Sequence, residues 1–275
     1  MEMKGSSGAI KQKGTDDEDE KGAALRRRST VLGGLSLVLG VVAWQVAARF
    51  TSKLFFVGPW ETLEAFVGLL RSGQLQPQLW ISGQEFFYGF GLAALAGIPV
   101  GFAMAMSRGI EAVADPWTSI LYATPRLALG PLLIVWLGIG ISSKVVLVFL
   151  GAVFPIVINT YAGARNVDVQ MKLVAHAFGA TRWQQFRSIL FPGALPHIIS
   201  GLRIGAIQGI LGVIVGEFFG SRGGVGNMIF AAAETFDTAK MFVGIALFAV
   251  GGLVASFALR AVEKWYAPWR QNVPE

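Results

Sequence analysis

The chain is 275 residues long, 53% hydrophobic and only 15% charged, with a mean hydropathy of +0.57, which is too apolar for a soluble domain of this length. It has no cysteine, so disulfides, thiolate metal sites and cysteine nucleophiles are excluded. Its net charge of +6 is accounted for below by topology, and nucleic-acid binding is not needed to explain it.

Residues 1–30 place Gly, Ser and Lys before the acidic run Asp16-Asp17-Glu18-Asp19-Glu20, with no apolar period. Composition predicts a disordered tail there. Arg26-Arg27-Arg28 then leads into the apolar stretch 31–48. This pairing can be read as a secretory or twin-arginine signal cleaved near Ala47-Ala48, but a retained first membrane helix anchored by the arginines is simpler. A hydrocarbon core of ~30 Å needs ~20 apolar residues per helix. Six runs meet that length: about 31–48, 81–106, 117–139, 144–163, 196–219 and 241–259. The 35 glycines are spread through these runs, as expected where membrane helices pack closely through small residues.

Residues 49–80 read as an outer loop. Pro59-Trp60-Glu61-Thr62 is a helix start, and Leu63, Phe66, Val67 and Leu70 recur on one face, predicting a short interfacial helix. The second run carries Gln84, Glu85 and Tyr88, with Pro99 near its middle. The third contains Pro125-Arg126 and Pro131, each proline removing a backbone donor, so its first half (117–129) is not expected to be a regular helix. It is either a tilted, kinked helix or an irregular element lining a pathway, since non-helical backbone at membrane depth needs protein or water around it. The fourth run, with Pro155 and Asn159, leaves the same two readings open. No internal repeat is evident.

Charge sets the orientation. With the N-terminus inside, fifteen Lys and Arg residues fall on cytosolic segments, against six outside: Arg49, Lys53, Arg71, Lys144, Arg222 and Lys240. This is a positive-inside bias with both termini cytosolic.

Between the fourth and fifth runs, Asp168 to Phe191 reads as two short helices broken at Gly179. Val169, Leu173 and Ala177 form one stripe, flanked by Val174 and Phe178. Gly179 is placed to end that helix in a left-handed conformation. Thr181 and Gln184 have capping-box spacing and restart the helix. Trp183, Phe186, Ile189 and Leu190 form the second apolar stripe, and Pro192 and Pro196 are expected to stop the helix and turn the chain into the membrane. Such stripes need burial, against either the protein's own membrane domain, lipid headgroups or a partner.

The order of these residues resembles the EAA loop of permeases of binding-protein-dependent ABC importers. Gly179, Ile189 and Pro192 fall at the family's spacings, Ala175 matches its second alanine, and Phe191 replaces a leucine. Leu173 stands where the family has Glu, and Val174 where it has the first alanine. Leu195-Pro196-His197-Ile198-Ile199-Ser200-Gly201-Leu202-Arg203 and Val215-Gly216-Glu217 are also similar to the family. Pro131-Leu-Leu-Ile-Val-Trp-Leu-Gly-Ile-Gly140 is similar to its nitrate/sulfonate/taurine branch. The resemblance spans roughly 80–265. It implies an all-α membrane protein of the type I importer kind, with six transmembrane helices. It also implies a homodimer working with two copies of an ABC ATPase subunit and an external solute-binding protein. ATP and Mg would then be bound by the partner ATPase, with no cofactor in this chain, which would be a non-catalytic subunit. The ATPase-coupling loop, within 164–195, would use Ala175, Phe178, Gly179, Ala180, Trp183, Phe186, Ile189 and Pro192. The sequence accordingly has no G-x-x-x-x-G-K-[ST] phosphate loop.

On this reading the chain divides into a tail (1–30), a first helix (31–48), an outer loop (49–80), a five-helix permease core (81–265) and a second tail (266–275). The solute would be small and anionic, such as nitrate, a sulfonate or taurine. Glu85, Asn159, Gln208 and Glu217 are candidate pathway-lining residues. Glu217 lies fourteen residues, or ~21 Å of helix, beyond Arg203, which can snorkel to the cytosolic interface. Glu217 can equally be an anchor bonded to backbone near Ser221–Gly224. The competing class is an ion-gradient-driven secondary transporter, which favours mid-span acids and inverted repeats. A membrane enzyme would need a constellation, and His176 and His197 have no evident carboxylate partner.

Overall fold

The computed structural model describes Arg28 and residues 31–266. The predicted tails, with their disorder and seven of the fifteen cytosolic Lys and Arg residues, lie outside the described residues. The described chain is helical and contains no strand. It divides into two units, residues 1–64 and 65–275.

In the first unit, helix α1 (Val31–Arg49) is long and apolar enough to cross a membrane, and its leucines and valines are exposed along most of its length. Such a helix, apolar on every side, needs lipid as its solvent. At its end Trp44 Nε1 donates to the Val57 carbonyl at 2.9 Å, tying down the loop that leads to α2 (Pro59–Arg71). As predicted, α2 begins at the proline, and Lys53 pairs with Glu61 of its first turn at 3.3 Å.

The second unit is built around three long helices: α3 (Leu75–Met106), α6 (Ile141–Arg165) and α9 (Phe191–Phe218). Gly89, Ala93, Gly97 and Gly101 repeat every four residues along α3 and turn a groove toward α6. A Cβ on Gly101 would lie 2.6 Å from Thr160 Cβ, and one on Gly97 2.9 Å from Ile156 Cγ2. On the other side of α6, a Cβ on Gly151 would lie 2.7 Å from the Gln208 carbonyl oxygen of α9. Small residues thus let three backbones approach to van der Waals contact, the main source of cohesion where lipid is as apolar as the side chains. Ala93, Ala152, Phe154 and Ile156 form the centre of the resulting core.

The third apolar run is not one helix. It forms α4 (Arg108–Ala123), a 3₁₀ turn (Arg126–Leu129) and α5 (Gly130–Leu137). The break falls at Thr124, whose extended backbone (ψ 133°) is the conformation a following proline imposes. Helix persists through Trp117–Ala123, a stretch expected to be irregular; Pro116 is tolerated within it. Five described helices, not six, are therefore long and apolar enough to span by themselves, the sixth element being the broken α4–α5 arm. Its start is fixed by Glu111, which accepts from Tyr161 Oη and pairs with Arg165 Nη1 at 2.8 Å.

One further expectation is corrected. Pro192 and Pro196 do not stop the loop helix. The chain runs as one helix from Arg182 to Phe218, with a π turn at Phe186–Leu190. The Phe191 amide reaches back five residues to the Phe186 carbonyl, and this widened turn shifts the bonding register just ahead of Pro192, where the proline ring would otherwise meet a carbonyl. Arg203, which the sequence places where it can snorkel, has an ion-pair partner. Its Nη2 pairs with Glu263 of α11 (Thr238–Tyr266) at 2.9 Å. α11 and α10 (Val225–Glu234) complete the unit, packing Val225, Met228 and Val243 against Leu75, Phe66 and Leu69.

Candidate functional site

One end of the bundle carries the loop between α6 and α9. Asp168 caps α7 (Val169–Ala177) by accepting from the Gln170 amide at 2.8 Å. Gly179 has φ +74°. Its amide bonds the His176 carbonyl, and that of Ala180 bonds the Ala175 carbonyl, the paired bonds of a Schellman stop. Two residues on, Thr181 Oγ1 accepts from the Gln184 amide at 3.3 Å, while Gln184 Oε1 accepts from the Thr181 amide at 2.8 Å. That completes the predicted capping box at the start of α8 (Arg182–Gln185). The stop and the restart fix the angle between two short helices over four residues.

The two stripes then separate. Phe186 and Leu190 pack inward with Phe102 and Ala194, the Phe102 and Phe186 rings meeting edge-on at 5.0 Å. Ile189 is half-buried and Ala175 and Ala180 partly so. The second stripe is thus largely committed to the protein's own membrane domain. The exposed apolar surface comes instead from Val169, Leu173, Val174, Phe178 and Trp183, with Phe178 87% and Trp183 66% exposed. Exposed apolar side chains of this size, on short helices held by two caps, are the kind of surface that marks an interaction site. Pro192 lies behind it, in the membrane helix.

The opposite end holds a buried charged cluster. Glu217 accepts from Ser82 Oγ at 2.6 Å and from the Gly226 amide. Ser82 Oγ in turn accepts from the Val225 amide at 2.8 Å, and Gln78 Oε1 from the Gly224 amide at 2.6 Å. Of the two readings of Glu217, this geometry is that of an anchor, bonded two residues beyond the expected turn. Lys144, counted in the sequence as an outer loop charge, is 1% exposed. Its Nζ donates to the Ile139, Gly140 and Gly220 carbonyls, tying the α5–α6 connection to the end of α9. Glu85, 2% exposed, interacts with both Glu217 and Lys144, and one of its carboxyl oxygens has no hydrogen-bond partner. Ser82, Gln78 and Lys144 were missed in the sequence. The one available signal was a lone lysine heading an apolar run.

Between the two ends, the break in the α4–α5 arm opens a cavity of about 320 Å³. It is lined by Tyr122–Pro125 on one side and by Leu147, Gly151, Gln208, Leu211 and Gly212 on the other. Of the predicted pathway residues only Gln208 lines it. Asn159 donates to the Pro155 carbonyl of its own helix at 2.8 Å, and Glu85 and Glu217 belong to the cluster.

The family described as "Binding-protein-dependent transport system inner membrane component" matches residues 97–268, from the middle of α3 through the loop to the end of α11. The chain belongs to this family. It is a permease subunit of an ATP-driven ABC importer. The permease is 36% identical to the putative aliphatic sulfonates transport permease protein SsuC of Bacillus subtilis, the match covering 90% of this chain and 91% of that one. It is 32% identical to the taurine transport system permease protein TauC of Escherichia coli, covering 90% and 93%. It is also 32% identical to the riboflavin transport system permease protein RibX of Chloroflexus aurantiacus, covering 86% and 90%. These likenesses support the nitrate/sulfonate/taurine branch. A chain of the MetNI methionine ABC transporter, solved in inward-facing conformations, superposes with a TM-score of 0.55 at 21% identity, covering 68% of this permease and 95% of that chain. That likeness shows a shared type I importer fold.

Proposed function

We propose that the permease works as a homodimer, importing a small anionic solute of the sulfonate, taurine or nitrate kind, handed over by an external binding protein. Two ATPase subunits bind ATP and Mg and hydrolyse it, and this chain performs no catalysis. The observation that carries the reading is the capped loop with its exposed patch around Phe178 and Trp183. An apolar surface held at a fixed angle transmits a push, because it cannot yield without breaking the Gly179 stop or the Thr181 cap. The membrane is the bacterial inner membrane, with both termini and the loop cytosolic, as the excess of Lys and Arg on that side supports. Closure of the ATPases then rocks α3, α6 and α9, joined through their glycine contacts, against the second copy.

The test is purification from native membranes in mild detergent, followed by mass spectrometry and uptake assays with the reconstituted complex. A stoichiometric ATPase and ATP-dependent sulfonate uptake are expected. A chain that purifies alone and moves solute on an ion gradient would return the secondary-transporter reading.

A further inference from the structure

We infer that the Gln208 side-chain amide is the oxyanion-recognising donor of a mid-membrane solute subsite, in the cavity opened by the chain break at Thr124–Pro125. The inference rests on the proposed anionic solute and deepens it.

Gln208 lies ten residues before the end of α9 at Phe218, or ~15 Å of helix, about half of a ~30 Å hydrocarbon core. It is half-buried there, and among the described residues no hydrogen bond engages its side-chain amide. An uncommitted amide at that depth is costly unless something completes its bonds. Asn159, the other amide among the candidate pathway residues, donates to the Pro155 carbonyl of its own helix. The cavity is walled on the far side by Tyr122 to Pro125; the Thr124 hydroxyl is already donated to the Ile120 carbonyl and Tyr122 has interactions of its own, which leaves the Gln208 amide. Its floor is bare backbone at Gly151 and Gly212, where α6 and α9 touch. No carboxylate lines it, Glu85 and Glu217 being held in the cluster at the bundle end. An anion beside the amide nitrogen would meet its two N–H donors and no carboxylate. A volume of about 320 Å³ is at the small end of the ~300–1,000 Å³ usual for small-molecule sites, which suits a sulfonate head group on a short chain. Irregular backbone at membrane depth is tolerated where it lines such a cavity, and this gives the Thr124–Pro125 break its purpose.

The experiment uses the complete importer in proteoliposomes, with ethanesulfonate and, as an uncharged probe, riboflavin. Gln208→Glu keeps the size and replaces the donor pair with a carboxylate. It is expected to slow ethanesulfonate uptake at least tenfold at saturating binding protein, while the complex with the ATPase still assembles. Gln208→Asn is expected to recover part of the rate. Wild-type uptake by Gln208→Glu overturns the subsite alone. Loss of complex assembly or of stimulated hydrolysis in both Gln208→Glu and Gln208→Leu also overturns it, assigning the amide to a bond with the second permease copy. A wild-type importer that moves riboflavin and no ethanesulfonate overturns the anionic-solute reading, and the subsite with it.

Discussion

The hydroxyl of Ser82 donates a 2.6 Å hydrogen bond to Glu217 across 135 residues of chain, and its oxygen accepts from the Val225 amide. One small polar side chain thus joins α3, α9 and α10 at a point sealed from solvent. A buried charge is weak evidence for stability, but leaving its partners stranded is costly. The node fixes the longitudinal register of three helices whose glycine-lined contacts would otherwise tolerate sliding.

Removing the acceptor should therefore show up in the stability of the complex. Glu217→Leu strands the Ser82 hydroxyl and the Gly226 amide, and is expected to cost about 3–5 kcal/mol. Glu217→Gln, which keeps an acceptor, is expected to cost about 1–2 kcal/mol. Thermal unfolding of the detergent-purified complex measures both, and equal midpoints for Glu217→Leu and wild type would contradict the node.

The loop prediction rests on the Gly179 backbone. A left-handed β-branched residue there is strained by roughly 1–2 kcal/mol even though nothing crowds a Cβ at that site, so the strain is relieved by swinging α7 relative to α8. Gly179→Val should abolish ATP-driven uptake while membrane insertion stays normal. Uptake at the wild-type rate would count against the coupling role.

Thr181→Ala removes one half of the capping box and is expected to destabilise α8 by about 1 kcal/mol. Uptake should fall several-fold, with less loss in Thr181→Ser. Initial uptake rates at matched membrane abundance decide the matter.

Phe178→Asp alters an exposed side chain, so folding should change by no more than about 0.5 kcal/mol; Trp183→Asp also gives up stacking on the Phe186 ring at 5.5 Å, about 0.5–1.5 kcal/mol more. Co-purification of the ATPase is the sensitive readout, and it should be lost in both. Retention of the ATPase would move the docking surface elsewhere.

The helix contacts make a different demand. Gly101→Leu and Gly151→Val push a side chain into Thr160 and into the α9 backbone respectively. Overpacking of this kind costs about 1–3 kcal/mol. Reduced folded yield with intact insertion is the expected pattern, and normal yield would show that α6 can shift to make room.

Local patterns carried the membrane class and the loop: apolar runs of spanning length, a glycine where a left-handed stop is needed, and Thr181 three residues before Gln184. Each is decided within a few residues, by backbone sterics or by hydrophobicity, and so can be read without knowing what packs where. The break near Pro125 was legible for the same reason. The fate of the polar side chains was not. Lys144 sits among three carbonyls from two distant connections, Glu217 is satisfied by α3 and α10, and of the candidate pathway residues Gln208 opens on the cavity, because the approach of α3, α6 and α9 through their glycines sets which groups meet. Pro192 shows the same limit. A proline ends a helix by local rules, yet a π turn absorbs this one, since a continuous helix lets Phe186 and Leu190 bury against Phe102 while α9 stays in the membrane.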